Sequence, residues 1–358
     1  IMGCLTAYYL SRYGLKCPVI EREAIGSQAS GSAAGLLNPL TGMESDRGQA
    51  EFAMEAYRLH CQLALELQQM AAADYCFSET PMLLPAFTEE EVADLRRQFV
   101  RLQSYGVNPL WLEGSSLHPM SNWLADDVQA AVYTSSSGQL ECCRLMTTLA
   151  QTINAQGTII KEGEVVGLKK SSRLITGVSL SDGTILQGES ILIAMGPWSK
   201  FAGDWMGMNI PVEPLRGHIV KLSLPKTPLP FSIVYDRGYV APKAAGHLVA
   251  GTTEEFAGFA RLVTKQGTVS IMKDSLRVAP ILRRASIIET TACLRPMCID
   301  GLPIIGQVPG WDNLYIATGH GRKGILLSTA TANYLAQLIA TGKSDWDIAP
   351  YSPRRLAC

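Results

Sequence analysis

The sequence predicts an α/β fold in which one nucleotide-binding domain is assembled from both ends of the chain. A second domain, of helices and mainly antiparallel strands, is inserted between them. Three observations predict this. Residues 2–14 and then 16–20 read as a helix followed by a strand, an apolar strand at 191–194 runs into Gly196, and a glycine-rich stretch leads into a final helix at 324–341.

The elements follow from local chemistry. Leu5, Tyr8, Tyr9 and Leu10 recur at helical spacing and Gly14 closes the helix. Residues 25–35, rich in Gly, Ser and Ala, form a loop suited to close approach by a ligand. A long helix is expected over 46–73, with Ala50, Ala53, Met54, Tyr57, Cys61, Ala64 and Leu65 on its inner face. The next helix, 88–105, opens with Thr88 as N-cap and Glu91 three residues on. A third spans 142–156, with Cys142 and Cys143 packing at its start. Alternating strands then run to Ser190, with Ser181-Asp182-Gly183 as a hairpin turn. From 211 to 294 the pattern is mostly strand, broken at Asp236-Arg237-Gly238 and Ala245-Gly246. The first domain is thus expected from residues 1–45, 142–210 and 295–358, and the second from 46–141 and 211–294.

Composition narrows the function. Lys and Arg number 31 against 32 Asp and Glu, so no basic field draws in nucleic acid or an anionic membrane. No apolar run approaches the roughly 20 residues of a membrane span. Nine cysteines without a C-x-x-C pair read as reduced thiols of a soluble cytoplasmic or organelle-matrix protein. The chain opens with Ile1 rather than Met, so an upstream segment carrying the first strand is expected and a targeting sequence is not assessable.

Three motifs carry chemistry. Gly3 before a helix, with Glu21 at the end of the following strand, matches the last glycine and the ribose-binding acid of a dinucleotide fold. It would equally serve as an ordinary helix start. Glu21 opposes a 2′-phosphate, an argument that Arg22 weakens. The Gly196-Pro197-Trp198-Ser199 turn is either a ligand approach or a simple strand-to-helix turn. The most specific block runs from Leu294-Arg295-Pro296 to Gly319-His320-Gly321-Arg322-Lys323-Gly324-Ile325-Leu326, where glycines leave backbone N–H groups free at a helix start. Arg295 sits in an apolar setting, where its guanidinium needs either a structural ion pair or a ligand carboxylate.

Together with the Ser30-Gly31-Ser32-Ala33-Ala34-Gly35 loop and the Pro214-Leu215-Arg216-Gly217 segment, these motifs resemble the D-amino acid oxidase family of FAD enzymes. The glycine oxidases are most similar and the sarcosine oxidases further off. The resemblance covers essentially the whole chain. It implies an FAD-binding Rossmann-like domain of the glutathione-reductase type and an inserted α+β substrate domain of mainly antiparallel sheet. FAD contacts are implied at Gly3, Glu21, Arg22, Ala29, Ser30, Ala34, Gly35, Leu36, Val165, Gly196, Gly321, Arg322, Lys323, Gly324, Ile325 and Leu326. Arg295, Tyr239 and Arg322 are implied to position substrate, with no catalytic acid or base and no metal. Lys323 replaces an Asn usual in glycine oxidases, placing a cation near the flavin or in solvent. Cys293 stands where sarcosine oxidases bond covalently to flavin, or is a buried strand thiol.

The implied reaction is hydride transfer from a small amino acid or amine to FAD, with imine hydrolysis and reoxidation by O2. Alternatives are a dehydrogenase using another acceptor, a flavin module acting on an aminomethyl group of a larger substrate such as modified tRNA, and an inactive flavin-fold protein. The near-neutral charge disfavours the tRNA version. Oligomeric state is not legible.

Overall fold

A computed structural model describes residues 1–41, 47–71, 74–225, 229–236 and 238–356. The helices are α1 (Met2–Ser11), α2 (Ala29–Ser32), α3 (Arg47–Ala71), α4 (Glu89–Ser104), α5 (Cys142–Ala155), α6 (Ala202–Met206), α7 (Lys265–Val278) and α8 (Gly324–Thr341). The expected helix over 46–73 begins and ends on residues outside the described ones, as does Arg237 of the expected turn.

Among the described residues, parallel pairing outside the largest sheet is confined to two pairs of short strands. Val19–Glu21 pairs with Ile160–Glu162, and Ile191–Ile193 pairs with Leu314–Thr318, which also pairs antiparallel with Ile304–Gln307. These are two separate sheets, and Val19, Ile20, Ile191 and Leu192 all line the space between them. In the apolar strand Ile191–Ile193 only Ile193 is buried, and Ile191 and Leu192 line that space. The strands Val165–Ser171, Leu174–Leu180 and Ile185–Gln187 form an antiparallel meander. Its Ser181-Asp182-Gly183 turn has Gly183 at φ 86° and Asp182 Oδ1 accepting from the Thr184 N–H at 2.8 Å.

The dominant sheet has eight strands, in the order Ser286–Cys298, Val212–Ser223, Leu248–Gly251, Gly238–Pro242, Ser232–Tyr235, Met82–Ala86, Ala130–Thr134 and Leu110–Glu113. All its pairings are antiparallel except that between Ser232–Tyr235 and Met82–Ala86. The expected segment boundary at 294/295 therefore falls inside a single strand, Ser286–Cys298, with Arg295 in its second half.

Two apolar cores are the largest among the described residues. One lies among α1, α3, α5 and α8 and contains Leu5, Tyr8, Phe52, Leu63, Leu145, Leu149 and Ala330, all at most 1% exposed. The other lies under the eight-stranded sheet and α7, with Val220, Phe231, Ile233, Val240, Ala250 and Ile271.

Four local expectations need correction. The inner face of α3 is Ala50, Phe52, Ala53, Ala56, Leu59, His60, Leu63 and Leu67, so Ala50 and Ala53 stand as expected, whereas Leu65 is 63% exposed and Met54, Tyr57, Cys61 and Ala64 are half-buried. Cys142 packs inside as expected, but Cys143 is exposed, its thiol donating to Gly31 O at 3.1 Å. The 211–294 region also contains α7, capped by the Thr264 hydroxyl accepting from the Gly267 N–H and burying Gly267, Ile271, Ser275 and Val278 at helical spacing. At α4, Thr88 caps the Glu91 N–H as expected, but Glu91 reaches back to the Phe87 N–H, one residue before the cap.

Candidate active site

The site is one continuous cavity of about 1960 Å³, including the space between the two small sheets that contain parallel pairs. It is larger than the roughly 300–1,000 Å³ that a small ligand occupies. Two helix N-termini open into it: Met2 and Gly3 of α1, and the Gly321–Lys323 turn that continues into α8. Each presents backbone N–H groups that lack an acceptor within the helix and favour electron-rich ligand atoms. Glu21, at the end of its strand, points a carboxylate at the same cavity and accepts from the Glu23 N–H at 3.1 Å.

Every residue expected at the site lines this cavity except one. Gly3, Glu21, Arg22, Ala29, Ser30, Ala34, Gly35, Leu36, Val165, Gly196, Tyr239, Arg295, Gly321, Arg322, Lys323, Gly324 and Ile325 are brought together from separate parts of the sequence. Leu326 is the exception, 1% exposed and facing the helical core. Arg22 stacks its guanidinium 4.7 Å from the Trp198 ring centroid, so a cation borders the Gly196–Trp198 turn. Gly35 is positioned by its lack of a side chain: at φ +75°, a Cβ would lie 2.1 Å from Leu140 O.

The three residues expected to position substrate differ in what they offer. The Arg295 Nη1 donates to Thr253 O at 3.2 Å and its Nη2 donates to the Thr252 hydroxyl, but among the described residues no carboxylate pairs with it. Its guanidinium lies flat against Gly217, where a Cβ would stand 2.0 to 2.2 Å from Nη2, Nη1 and Cζ. Tyr239 is tucked against Gly251, and burial raises its phenol well above the usual tyrosine range despite the opposing pull of Arg295. It therefore remains a neutral donor at physiological pH. Arg322 instead pairs its Nε with the Glu254 carboxylate, so its charge is already answered.

Lys323 stands neither free in solvent nor as an isolated cation. Its Nζ donates to Asn38 O at 3.0 Å and to Thr41 O, tying the loop after Leu36–Leu37 to the start of α8. Cys293 is 3% exposed in its strand, lines the cavity and has its thiol pushed up by burial. No cluster of His, Cys, Asp and Glu among the described residues could hold a metal.

Sequence reasoning missed Lys243, at the end of the strand that carries Tyr239. It is 7% exposed, and its Nζ donates to Ala34 O at 2.9 Å and Leu140 O at 2.7 Å beneath the cavity loop. Burial lowers its affinity for the proton, with Glu141 the largest opposing influence. The only signal was a lysine directly after the apolar run Tyr239-Val240-Ala241-Pro242. Lys243→Met is expected to destabilise the protein by about 2–4 kcal/mol, since two carbonyls lose a charged donor in a dry setting. Urea unfolding would check this, and an unchanged midpoint would show that the loop does not depend on the ammonium.

Two helix starts, an acid at a strand end and a glycine-lined loop around one large cavity fit a dinucleotide. This is the architecture of a nucleotide-dependent enzyme. Residues 1–338 match the DAO family, FAD dependent oxidoreductases, and the chain belongs to that family. Its cofactor is FAD.

The chain is 28% identical to the glycine oxidase of Geobacillus kaustophilus over 99% of this chain and 94% of that protein. It is 27% identical to the glycine oxidase of Pseudomonas aeruginosa, over 99% and 96%. The crystal structure of the Geobacillus kaustophilus enzyme matches with a TM-score of 0.93 at 27% identity, over 98% of this chain and 95% of that one. In fold alone, the iminodiacetate oxidase from Chelativorans sp. matches with a TM-score of 0.90 at 23% identity. No helix among the described residues is long and apolar enough to cross a membrane.

Proposed function

We propose that the protein oxidises a small α-amino acid of the glycine, sarcosine or small D-amino acid class, with O2 as electron acceptor. The observation that carries this reading is Arg295: a guanidinium in the cavity wall, held by a carbonyl and a hydroxyl and matched by no carboxylate among the described residues. A planar bidentate donor of this kind suits a substrate carboxylate. The similarity to glycine oxidases supports the choice of substrate class.

When bound, FAD supplies the acceptor for a hydride from the substrate α-carbon. The chain's own residues supply alignment. Arg295 holds the carboxylate, and the Tyr239 phenol, kept protonated by burial, donates beside it. Leu36, Ile219 and Met297 contribute apolar wall. No side chain need act as a strong base if the amine binds neutral. The imine product is hydrolysed by water to an oxo acid and an amine or ammonia.

The test uses FAD-loaded protein with glycine, sarcosine and D-alanine, following flavin bleaching and peroxide together. Peroxide formation is expected, whereas bleaching with dye reduction but no peroxide would replace the oxidase by a dehydrogenase. Arg295→Ala should weaken substrate binding by more than about tenfold while the flavin absorption remains. Unchanged substrate affinity in that variant would remove Arg295 from the carboxylate site.

A further inference from the structure

We infer that His218 is a positioning residue for the substrate carboxylate: its buried imidazole locks the Thr252–Thr253 segment, and that segment aims the Arg295 guanidinium into the cavity. The inference rests on the proposed role of Arg295 and assigns a task to a residue that does not line the cavity.

The hydrogen bonds fix the direction of each link. The Thr264 N–H donates to His218 Nε2 at 3.0 Å, so Nε2 must carry the lone pair and Nδ1 the proton. That proton faces Thr253 Oγ1 at 2.8 Å and Glu255 Oε1 at 3.2 Å. Thr253 Oγ1 also accepts from the backbone N–H of His218 at 3.1 Å, which leaves its own hydroxyl proton for Glu255. In turn, the Thr252 hydroxyl donates to His218 O at 3.0 Å, so its lone pairs are available to accept from Arg295 Nη2. Thr253 O receives Nη1. Both guanidinium contacts thus end on a segment that His218 grips three times, by its ring, its N–H and its carbonyl.

The setting makes the grip rigid. His218 has no solvent exposure, and its ring packs on Gly267 of α7, where a Cβ would stand 2.8 Å from Nδ1. Glu255 is held on its far side by Arg216 Nη2. Without the imidazole, Thr253 would keep only its backbone contact with position 218, and Glu255 would have a gap to fill. A guanidinium misplaced by about 1 Å loses bidentate geometry with a carboxylate, so a defect behind Arg295 should appear in substrate binding.

The test measures acetate, a carboxylate without an amine, by its perturbation of the bound-flavin spectrum, alongside KM and kcat for glycine. His218→Leu and Thr253→Val are each expected to raise the acetate Kd and glycine KM about tenfold, with kcat changed less than about threefold and the flavin spectrum retained. His218→Asn, whose amide can replace the Nδ1 donor, should return both values to within about threefold of the parent. Near-parental acetate binding in folded His218→Leu overturns the inference, as does His218→Asn no better than His218→Leu, which would reduce the ring to packing. If His218→Leu does not fold, the near-isosteric Thr253→Val decides, and unaltered acetate binding there overturns it. Arg295→Ala separates the two levels: if it leaves acetate binding unchanged, the carboxylate-site reading fails and this inference with it. If Arg295→Ala loses acetate while His218→Leu and Thr253→Val keep it, only the role of His218 falls.

Discussion

Gly217→Ala is expected to raise the KM for the amino acid substrate by about 10- to 100-fold, close to the effect of removing Arg295 itself. An added Cβ would lie 2.0 Å from Arg295 Nη2 and 2.1 Å from Nη1, well inside van der Waals contact. The arginine cannot simply step aside, because both terminal nitrogens are bonded to Thr252 and Thr253 and its backbone is paired with Leu215 on the neighbouring strand. Gly217 lies in a regular strand and not at positive φ, so alanine costs nothing in backbone conformation and the effect isolates the contact. Flavin absorption should be retained. Gly167→Ala is the matched control, a strand glycine whose Cβ would meet nothing within 4 Å. Steady-state kinetics with flavin titration would read the result; a KM within about twofold of the parent in folded Gly217→Ala would mean the guanidinium has another seat.

That contact shows where sequence reasoning stops. Pro214-Leu215-Arg216-Gly217 is visible in the chain, but why a glycine belongs there depends on register: Leu215 opposite Arg295 and Gly217 opposite Cys293. Arg295 itself was legible, because a guanidinium in an apolar strand needs a partner wherever the strand lies. Arg322 looked similar and differs only because Glu254, 68 residues away in sequence, closes on it. His218 carried no signal of its own and Lys243 only its place after an apolar run, since the groups they bond are backbone groups and hydroxyls supplied by remote segments.

The fold was legible where a single periodicity dominates. α8 spans the expected residues because its glycine start and apolar body leave no competing reading. α3 was found but rotated: counting apolar residues favours Leu65, whereas the buried stripe runs through His60, a polar residue whose Nε2 meets Ile325 O at 2.8 Å. A tertiary hydrogen bond of that kind overrides the amphipathic count, and it ties the middle of α3 to the first turn of α8.

The same histidine leads to the second large effect, a steep loss of stability in mild acid. His60 is fully buried and its pKa is lowered to about 4 by burial, against the pull of its bond to Ile325; His320, 5% exposed, is lowered to about 3 by burial. In the folded protein His60 Nδ1 is buried without a partner, so protonation would place a charge and a donor where nothing receives them. An unfolded chain takes up these protons near pH 6.5. Between that pH and the folded values, the unfolded state binds more protons, so stability is complete above about pH 6.5 and falls as the pH drops toward 4. Each histidine contributes about 2 kcal/mol of loss at about pH 5, so the pair should remove roughly 3–4 kcal/mol relative to about pH 7. The carboxylates held low by their partners, Glu55 and Asp300 among them, lose their contribution only below the usual carboxylate range and do not blur this window. Urea unfolding at the two pH values would measure the drop, and a midpoint that does not move would refute the buried neutral state of both rings. His60→Gln, which keeps a donor for Ile325 O but cannot titrate, should flatten the acid slope by about half. Because Ile325 O belongs to the first turn of α8, the acid-labile contact lies at the helix start that faces the flavin cavity, and flavin release should accompany the early part of the transition.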